Sequence, residues 1–503
     1  MDNKQAVVGR RTAIGGTWTV GARLVSRVVD LATMVVLAHL LQPRDFGLVA
    51  IAMTVIFIVE AALELPLSQA LVRLKHIESE HYDTAFTLGL LRGFALSTIV
   101  CTVSWPFAHF YADKRLLLLV CVLSLAPASR GLVSPKLADF SRNFDFTPDF
   151  IMELAGKLVA FTAAIFLALT THSYWAIAVG TVLAPTISTA TSYFLAPYRP
   201  RLSLLKLSAF SGFLGWITAA QVISSLNWQA DRLILGKITS RSELGLFTAA
   251  NDTANIPLLA FMSPIMRPLL SAFSVLREVP DRLRSSYQSS CRAIVTFGLP
   301  ILIGESLLAE AFVRLFFGEK WIGSAVLLRW LAISLVPTLF AAPLGPLVMS
   351  FDRTQIFLKH NLLELSIKLP LVIFGALRYG FMGIIMARGI SELSSVIYSM
   401  IIVRRLISLT IFQQVIAPWR CILSIVAMAA VLALVAPQLA HLAGPMQLGS
   451  ATLATVLLGA VTYIATLFGL WIAVGSPSGI EAMVAEKVLH VFKQKRNFAA
   501  DIA

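Results

Sequence analysis

Apolar residues recur along this chain in blocks that are long enough to cross a lipid bilayer. A transmembrane helix needs about 20 predominantly apolar residues to span the ~30 Å hydrocarbon core. About fourteen such blocks can be traced from Gly15 to Trp471. Composition agrees, because 57% of the 503 residues are hydrophobic and only 14% are charged, against roughly 25% charged in soluble domains. The sequence predicts an all-α polytopic membrane protein with about 14 transmembrane helices.

The connections between the predicted spans are short. None of them is long enough to fold as a domain, which excludes a fused ATPase or a large periplasmic catalytic domain. The spans are expected at approximately 15–41, 46–70, 83–109, 115–135, 150–170, 173–196, 208–236, 244–274, 290–316, 324–350, 360–378, 381–403, 413–441 and 449–474.

The distribution of Lys and Arg predicts the orientation in the membrane. Cytoplasmic loops of membrane proteins are enriched in both residues, and most of the basic clusters fall on one side when the N-terminus is placed inside. Both termini are therefore predicted to be cytoplasmic. The membrane is predicted to be the bacterial inner (plasma) membrane. The net charge of +14 follows from this bias and from attraction to anionic headgroups, so nucleic acid is not expected as a partner.

Motifs of enzyme chemistry are absent from the sequence. There is no P-loop, no zinc-protease helix and no G-x-S-x-G turn, and the eight His are scattered. The four Cys lie in or near apolar blocks and are expected to be packing residues. We expect a transporter with no cofactor and no metal, rather than an enzyme.

An internal repeat divides the predicted spans. The segment D-F-G-L-V-A-I-A at 45–52, after span 1, matches E-L-G-L-F-T-A-A at 243–250, after span 7. Spans 1–6 and 7–12 would then be two lobes of the same orientation, since duplicated halves are common in transporters. The predicted domains are an N-terminal lobe at 1–206, a C-terminal lobe at 207–409, spans 13 and 14 at 410–475, and a cytoplasmic amphipathic tail at 476–503.

Several charges fall inside the predicted spans of the first lobe. A charge at the bilayer centre costs about 2.5–3.5 kcal/mol on insertion scales, so these side chains must face protein or a watery cavity. Arg23, Arg27 and Asp30 share one face of span 1, and Arg92 lies in span 3. They either line a transport cavity or act as struts between helices.

Carboxylates form a second group of in-span charges. Glu60 and Glu64 lie four residues apart in span 2, where like charges favour binding of a proton or cation. The second lobe carries Asp231, Asp252 and Glu305. These five are the candidate ion-coupling residues, whereas Glu153 with Lys157 and Glu364 with Lys368 are spaced for local ion pairs.

Four stretches together resemble the Wzx-type polysaccharide transporters. This family shares a superfamily with multidrug antiporters of the MATE kind and with the lipid II flippase. The stretches are Leu41-Gln-Pro-Arg-Asp-Phe-Gly-Leu48, Asn227-Trp-Gln-Ala-Asp-Arg-Leu-Ile-Leu-Gly-Lys237 followed by Leu244-Gly-Leu-Phe247, Tyr174-Trp-Ala-Ile177, and Phe317-Gly-Glu-Lys-Trp321. The family usually has Tyr where this chain has Phe247.

The resemblance implies a flippase that carries undecaprenyl-diphosphate-linked oligosaccharide across the inner membrane for exopolysaccharide, O-antigen or capsule synthesis. The implied fold has two six-helix lobes, as in MATE antiporters and the lipid II flippase, plus two C-terminal helices. Membrane lipids, H⁺ or Na⁺, a polysaccharide polymerase and chain-length or export proteins are candidate partners. The cavity residues expected to bind diphosphate and sugar are Arg23, Arg27, Asp30, Arg92 and Arg267.

Three alternatives remain open from the sequence. A lipid II flippase carries a related cargo. A MATE-type antiporter usually has twelve spans and handles organic cations, for which a cavity with arginines is a poor host. A membrane-embedded polysaccharide polymerase or ligase is an enzyme, but such proteins usually display a large periplasmic loop.

Overall fold

The computed structural model describes residues 25–74, 76–143, 145–210, 216–353, 355–442, 444–476, 481–482 and 486, without the side chains of 73, 209, 216–218, 263 and 267. The described residues contain helices and no strand, which confirms the predicted fold class. In chain order the helices are α1 (25–40), α2 (Pro43–Ala62), α3 (Leu67–Arg73), α4 (Ser79–Phe110), α5 (Arg115–Leu123), α6 (Leu125–Arg130), α7 (Leu137–Arg142), α8 (Thr147–Thr171), α9 (Trp175–Leu195), α10 (Trp216–Ile238), α11 (Arg241–Leu276), α12 (Pro280–Leu307), α13 (Ala309–Phe316), α14 (Gly323–Leu335), α15 (Thr338–Ala341), α16 (Leu344–Ser350), α17 (Gln355–Ile407), α18 (Ile411–Ile416), α19 (Trp419–Leu439) and α20 (Pro445–Ala473).

Ten helical segments in the described part of the chain are long and apolar enough to cross a membrane. Three predicted spans lie outside that set, and two others share one of its members. The first is described only from residue 25, the fourth is divided between the short helices α5 and α6, and the seventh is the more polar α10. The eleventh and twelfth share α17. The helices are therefore compatible with about fourteen spans.

α17 contains a chain reversal between two predicted spans. Gly380 has φ +58° and ψ −135°, a conformation that a residue with a Cβ rarely adopts. A Cβ on Gly375 would lie 2.4 Å from the carbonyl oxygen of Gly383, although eight residues of straight helix would separate these positions by about 12 Å. The chain therefore folds back at Gly380 into two helices that cross at glycines.

The described residues form two compact units. The first combines the predicted N-terminal lobe with parts of the predicted C-terminal lobe, and the second draws on the C-terminal lobe and the residues after it. The first draws on Met1–Ala249, Phe316–Gly323 and Thr354–Ala387; the second draws on Ala250–Leu315, Ser324–Arg353 and Arg388–Ala503. The lobe boundaries at 206 and 409 concern repeated spans, which this division by packing does not test. They stay predictions.

The repeated segments begin their helices in the same way. At the start of α2, the Asp45 carboxylate accepts a hydrogen bond from the backbone N–H of Gln42 at 3.1 Å, and Pro43 occupies the first turn. At the start of α11, the Glu243 carboxylate accepts from the backbone N–H of Ser240 at 3.0 Å. The backbone N–H of the N-cap residue has no partner within the helix, and an acidic side chain three residues later can accept its hydrogen bond. This explains why both segments carry an acidic residue at that position.

The glycines of the repeated segments lie against the opposite copy. A Cβ on Gly47 would be 1.9 Å from the carbonyl oxygen of Arg241, and a Cβ on Gly245 would be 1.8 Å from that of Pro43. Arg241 and Pro43 occupy equivalent positions in the two copies, so the contact between α2 and α11 is reciprocal. Only glycine permits so close a backbone approach.

The segment 317–321 binds the end of α1 and the turn that follows it through three hydrogen bonds. The Lys320 ammonium donates to the carbonyl oxygens of His39 at 2.6 Å and Leu41 at 2.8 Å, and the Trp321 indole N–H donates to that of Ala38 at 2.9 Å. Lysine near a helix C-terminus satisfies the last carbonyls. Burial lowers the pKa of Lys320. Three of the four stretches that carry the family resemblance thus pack together.

The predicted C-terminal amphipathic helix lies almost entirely outside the described residues. Glu481 is one of the few that are described, and its Oε1 is 3.1 Å from Nη2 of Arg420 at the start of α19. Both side chains are buried. A buried ion pair whose partner is removed leaves an uncompensated charge, so this contact secures residue 481 within the second unit.

Replacing Gly47 with Ala should destabilise the protein, because the new methyl group overlaps backbone that cannot move aside. Overpacking of this kind costs ~1–3 kcal/mol, which should lower the melting temperature of the detergent-purified protein. Gly469 in α20 is the matched control, because a Cβ there meets no atom within 4 Å. Gly469→Ala should be neutral or slightly stabilising. Equal melting temperatures for the two variants would contradict the close contact between α2 and α11.

Candidate transport site in the first compact unit

A cluster of charged and polar side chains joins α1 to α8. The Lys157 ammonium donates to Ser26 Oγ at 2.6 Å and to Asp30 Oδ2 at 2.8 Å, and it lies 2.9 Å from Glu153 Oε1. The Ser26 hydroxyl donates to the same Glu153 oxygen. Arg27 Nη1 is 3.6 Å from Asp30 Oδ2. Lys157 is therefore the centre of the cluster, which we call the Lys157 cluster.

Arg27 has a different environment from Lys157. Its side chain is 50% exposed, whereas that of Lys157 is 21% exposed. The expected Arg27–Asp30 pair is present, but Asp30 lies closer to Lys157. Because the Asp30 carboxylate also binds Lys157, it neutralises the charge of Arg27 only in part. Arg27 is therefore the cation of the cluster that an anionic ligand can reach.

A second cluster forms around Glu60 on α2. Its Oε1 lies 3.9 Å from Arg92 Nη2 on α4, and its Oε2 lies 3.5 Å from Arg130 Nη2 on α6. Glu60 and Arg92 are 19% and 15% exposed, whereas Arg130 is 49% exposed. We call these three residues the Glu60 cluster; it carries two cations and one carboxylate.

Glu64 forms no salt bridge with the Glu60 cluster, but its carboxylate interacts electrostatically with Arg92. Its Oε2 accepts a hydrogen bond from Gln221 Nε2 on α10 at 3.2 Å. The spacing of Glu60 and Glu64 suggested two like charges acting on each other, but each has a partner of its own. Arg130 was missed as a site residue, although an arginine within an apolar block is a signal that could have identified it.

Asp231 lies in a buried contact between α10 and α17. Lys368 Nζ is 3.2 Å from Asp231 Oδ2 and donates to the carbonyl oxygen of Asn227 at 2.7 Å. The Asn227 side-chain amide donates to the carbonyl oxygen of Asn361 at 2.9 Å. Lys368 was expected to pair locally with Glu364; instead its nearest carboxylate comes from another helix. Removing either partner would leave an uncompensated buried charge, so the packing of the two helices depends on both residues.

The remaining expected site residues lie in the second unit or outside the described part of the chain. Asp252 Oδ1 accepts from the side-chain amide of Asn251 at 3.3 Å. Glu305 is 6% exposed, and its Oε2 is buried without a hydrogen-bond partner among the described residues. Arg23 and the Arg267 side chain lie outside the described part of the chain.

Metal binding has no support in the described residues. No group of three or more His, Cys, Asp or Glu is placed there to hold a metal ion. The first unit instead offers cations on apolar helices, in the Lys157 and Glu60 clusters. Such an arrangement can bind an anion by charge-assisted hydrogen bonds, because arginine matches carboxylate and phosphate oxygens in bidentate geometry.

Solved structures share this fold. The chain resembles an inward closed conformation of the lipid II flippase MurJ, with a TM-score of 0.70, 14% identity, and coverage of 90% of this chain and 98% of that one. An inward-facing multidrug transporter of the MATE family follows with a TM-score of 0.60 and 15% identity, covering 76% and 94%.

Sequence relatives come from surface polysaccharide synthesis. The chain is 23% identical to the lipopolysaccharide biosynthesis protein WzxC of Escherichia coli K12, over 81% of this chain and 84% of that protein. It is also 23% identical to the succinoglycan biosynthesis transport protein ExoT of Rhizobium meliloti, over 63% and 65%. The model of one family matches residues 36–326, more than half of the chain. This multi-pass membrane protein belongs to the polysaccharide biosynthesis protein family.

Proposed function

We propose that the protein is a flippase that moves undecaprenyl-diphosphate-linked oligosaccharide from the cytoplasmic to the periplasmic leaflet of the bacterial inner membrane. Membership of the polysaccharide biosynthesis family supports this function, as do the named roles of WzxC and ExoT. The fold shared with a lipid II flippase agrees with it. The observation that carries the proposal is the presence of cationic clusters on apolar helices of the first unit.

The cargo explains why such clusters would be maintained. A diphosphate with several sugars cannot cross hydrocarbon unaided, since the cost of moving a bare charge into the bilayer is several kcal/mol or more. Arg27 is exposed enough to meet the diphosphate, and Arg130 is comparably exposed. We propose that these cations bind it while the prenyl chain remains in the bilayer, and that the transporter works by alternating access. No covalent bond changes in this process.

The identity of the cargo distinguishes two alternative functions, lipid II flipping and the transport of organic cations. Lipid II has the same prenyl diphosphate as the proposed cargo, and the chain shares the fold of a lipid II flippase, so lipid II flipping is the second candidate function. Exposed arginines such as Arg27 and Arg130 would repel organic cations. Mass spectrometry of the lipid-linked sugar that accumulates when the gene is deleted identifies the cargo directly.

A polysaccharide polymerase and chain-length or export proteins are proposed partners.

Replacing Arg27 with Gln should reduce polysaccharide export about tenfold or more, because a charge-assisted hydrogen bond to phosphate contributes ~1.5–3 kcal/mol. Export is measured after complementation of a deletion strain, with membrane abundance checked by immunoblot. Lys136→Gln is the control, since Lys136 is an exposed cation of the first unit outside both clusters. Full export by the Arg27 variant at normal abundance would reject this site.

Among the acidic residues, we propose Glu305 as the coupling-ion site. Glu60, Glu64, Asp231 and Asp252 each have a polar or cationic partner, whereas Glu305 is buried and has no cation within salt-bridge distance in the described residues. Binding of a proton would neutralise this carboxylate at a site that disfavours charge.

A proton gradient should accelerate flipping of a fluorescent lipid-linked sugar in proteoliposomes, and Glu305→Gln should remove the acceleration. Glutamine has the shape of the protonated carboxylate and cannot release a proton. Glu64→Gln is the comparison, because Glu64 already has a hydrogen-bond partner. If neither a proton nor a sodium gradient changes the wild-type rate, transport is uncoupled and the proposal fails.

We also propose that both termini are cytoplasmic, in line with the basic loops. In a variant without native cysteines, Arg199→Cys should react with a membrane-impermeant maleimide only after the inner membrane is opened. Lys114→Cys should react in intact spheroplasts. Both positions are exposed and lie between helices. Reversed labelling of the two positions would overturn the orientation.

A further inference from the structure

A cavity of about 540 Å³ lies beside α12, α13 and α19 in the second unit. Leucine and alanine side chains form most of its wall, and four ionisable residues line it: Glu310, Arg314, Arg329 and His441. We propose that this cavity binds the zwitterionic headgroup of an ethanolamine phospholipid. The proposal goes beyond cargo transport, and none of these residues belongs to the Lys157 or Glu60 cluster.

The cavity lies at the ends of apolar helices. α12 ends at Leu307, α19 ends at Leu439, and α14 begins at Gly323. Headgroups occupy the layers that flank the ~30 Å hydrocarbon core, which is the depth at which transmembrane helices end. Apolar walls beside this layer suit the first carbons of acyl chains, while the charged side chains suit a headgroup.

Two arginines provide the phosphate-binding side of the cavity. Arg314 is held in place, since Nη1 donates to the carbonyl oxygen of Ala440 at 2.8 Å and Nη2 to that of Leu442 at 3.2 Å. Arg329 is exposed on α14 and forms no salt bridge within the described residues. Arginine binds phosphate oxygens in bidentate geometry, so the pair suits a phosphodiester.

Glu310 distinguishes between kinds of headgroup. It lies four residues before Arg314 on α13, and therefore on the same helix face. In the described part of the chain it has no cation within salt-bridge distance. A carboxylate in the cavity repels a purely anionic headgroup such as that of phosphatidylglycerol. It attracts an ammonium group, so the cavity as a whole complements a phosphate linked to a primary amine.

Native mass spectrometry of the full-length protein in detergent tests the proposal. Titration should give tighter binding of phosphatidylethanolamine than of phosphatidylglycerol or phosphatidylcholine, whose quaternary ammonium cannot donate a hydrogen bond. Inorganic phosphate should not compete at millimolar concentration if the whole headgroup is recognised. The assay needs no transport, so its failure and the failure of the flippase proposal are independent.

Two variants and a control separate the roles of the charges. Arg329→Gln should weaken phosphatidylethanolamine binding about tenfold, or ~1.4 kcal/mol. Glu310→Gln should abolish the preference over phosphatidylglycerol. Arg378→Gln, which removes an exposed arginine of the first unit, should change neither.

Unchanged binding by Arg329→Gln, or a retained lipid preference in Glu310→Gln, would overturn the assignment. A wild-type preference for phosphatidylglycerol or equal affinity for all three lipids would do so as well. Size-exclusion chromatography establishes that each variant is folded. Should Arg329→Gln fail that check, Arg329→Lys and Glu310→Gln still decide the outcome, since lysine keeps the charge and loses the bidentate geometry.

Discussion

The cost of charge in hydrocarbon governs the interior of this protein. Lipid offers no hydrogen bonds to a charged side chain, so each one inside an apolar helix must meet a partner from the protein or from water. Lys157 does so with Ser26, Asp30 and Glu153, and Lys368 does so with Asp231 and Asn227. These contacts connect helices that are distant in sequence. They also leave particular cations, Arg27 above all, with exposed surface on apolar helices.

The transmembrane architecture could be predicted from the sequence because hydropathy is a property of contiguous blocks. Twenty apolar residues identify a span whatever they pack against. The reversal at Gly380 was predicted for the same reason, since two blocks meet there. What hydropathy could not show is that the repeated segments at 45–52 and 243–250 contact each other, because a match between sequences carries no information on distance.

The candidate site was only partly predictable. The Arg27–Asp30 pair follows from helical spacing, which fixes neighbours along one helix. Pairing between helices depends on how the helices rotate and cross, and a single sequence does not encode that in any local pattern. Asp30 therefore lies closer to Lys157 than to Arg27, Glu60 lies beside Arg92 and Arg130, and Lys368 lies beside Asp231. Apart from Arg130, which was missed, the residues were recognised as unusual charges but their partners were not.

The contact of Gly47 and Gly245 limits which substitutions this protein tolerates. Gly47 meets the main chain at Arg241, and Gly245 meets it at Pro43. A side chain on either glycine would therefore collide with main-chain atoms of the opposite segment. Because every residue has the same main chain, no substitution at Arg241 or Pro43 could make room for that side chain. The loss of either glycine thus has no second-site suppressor at the residue it contacts.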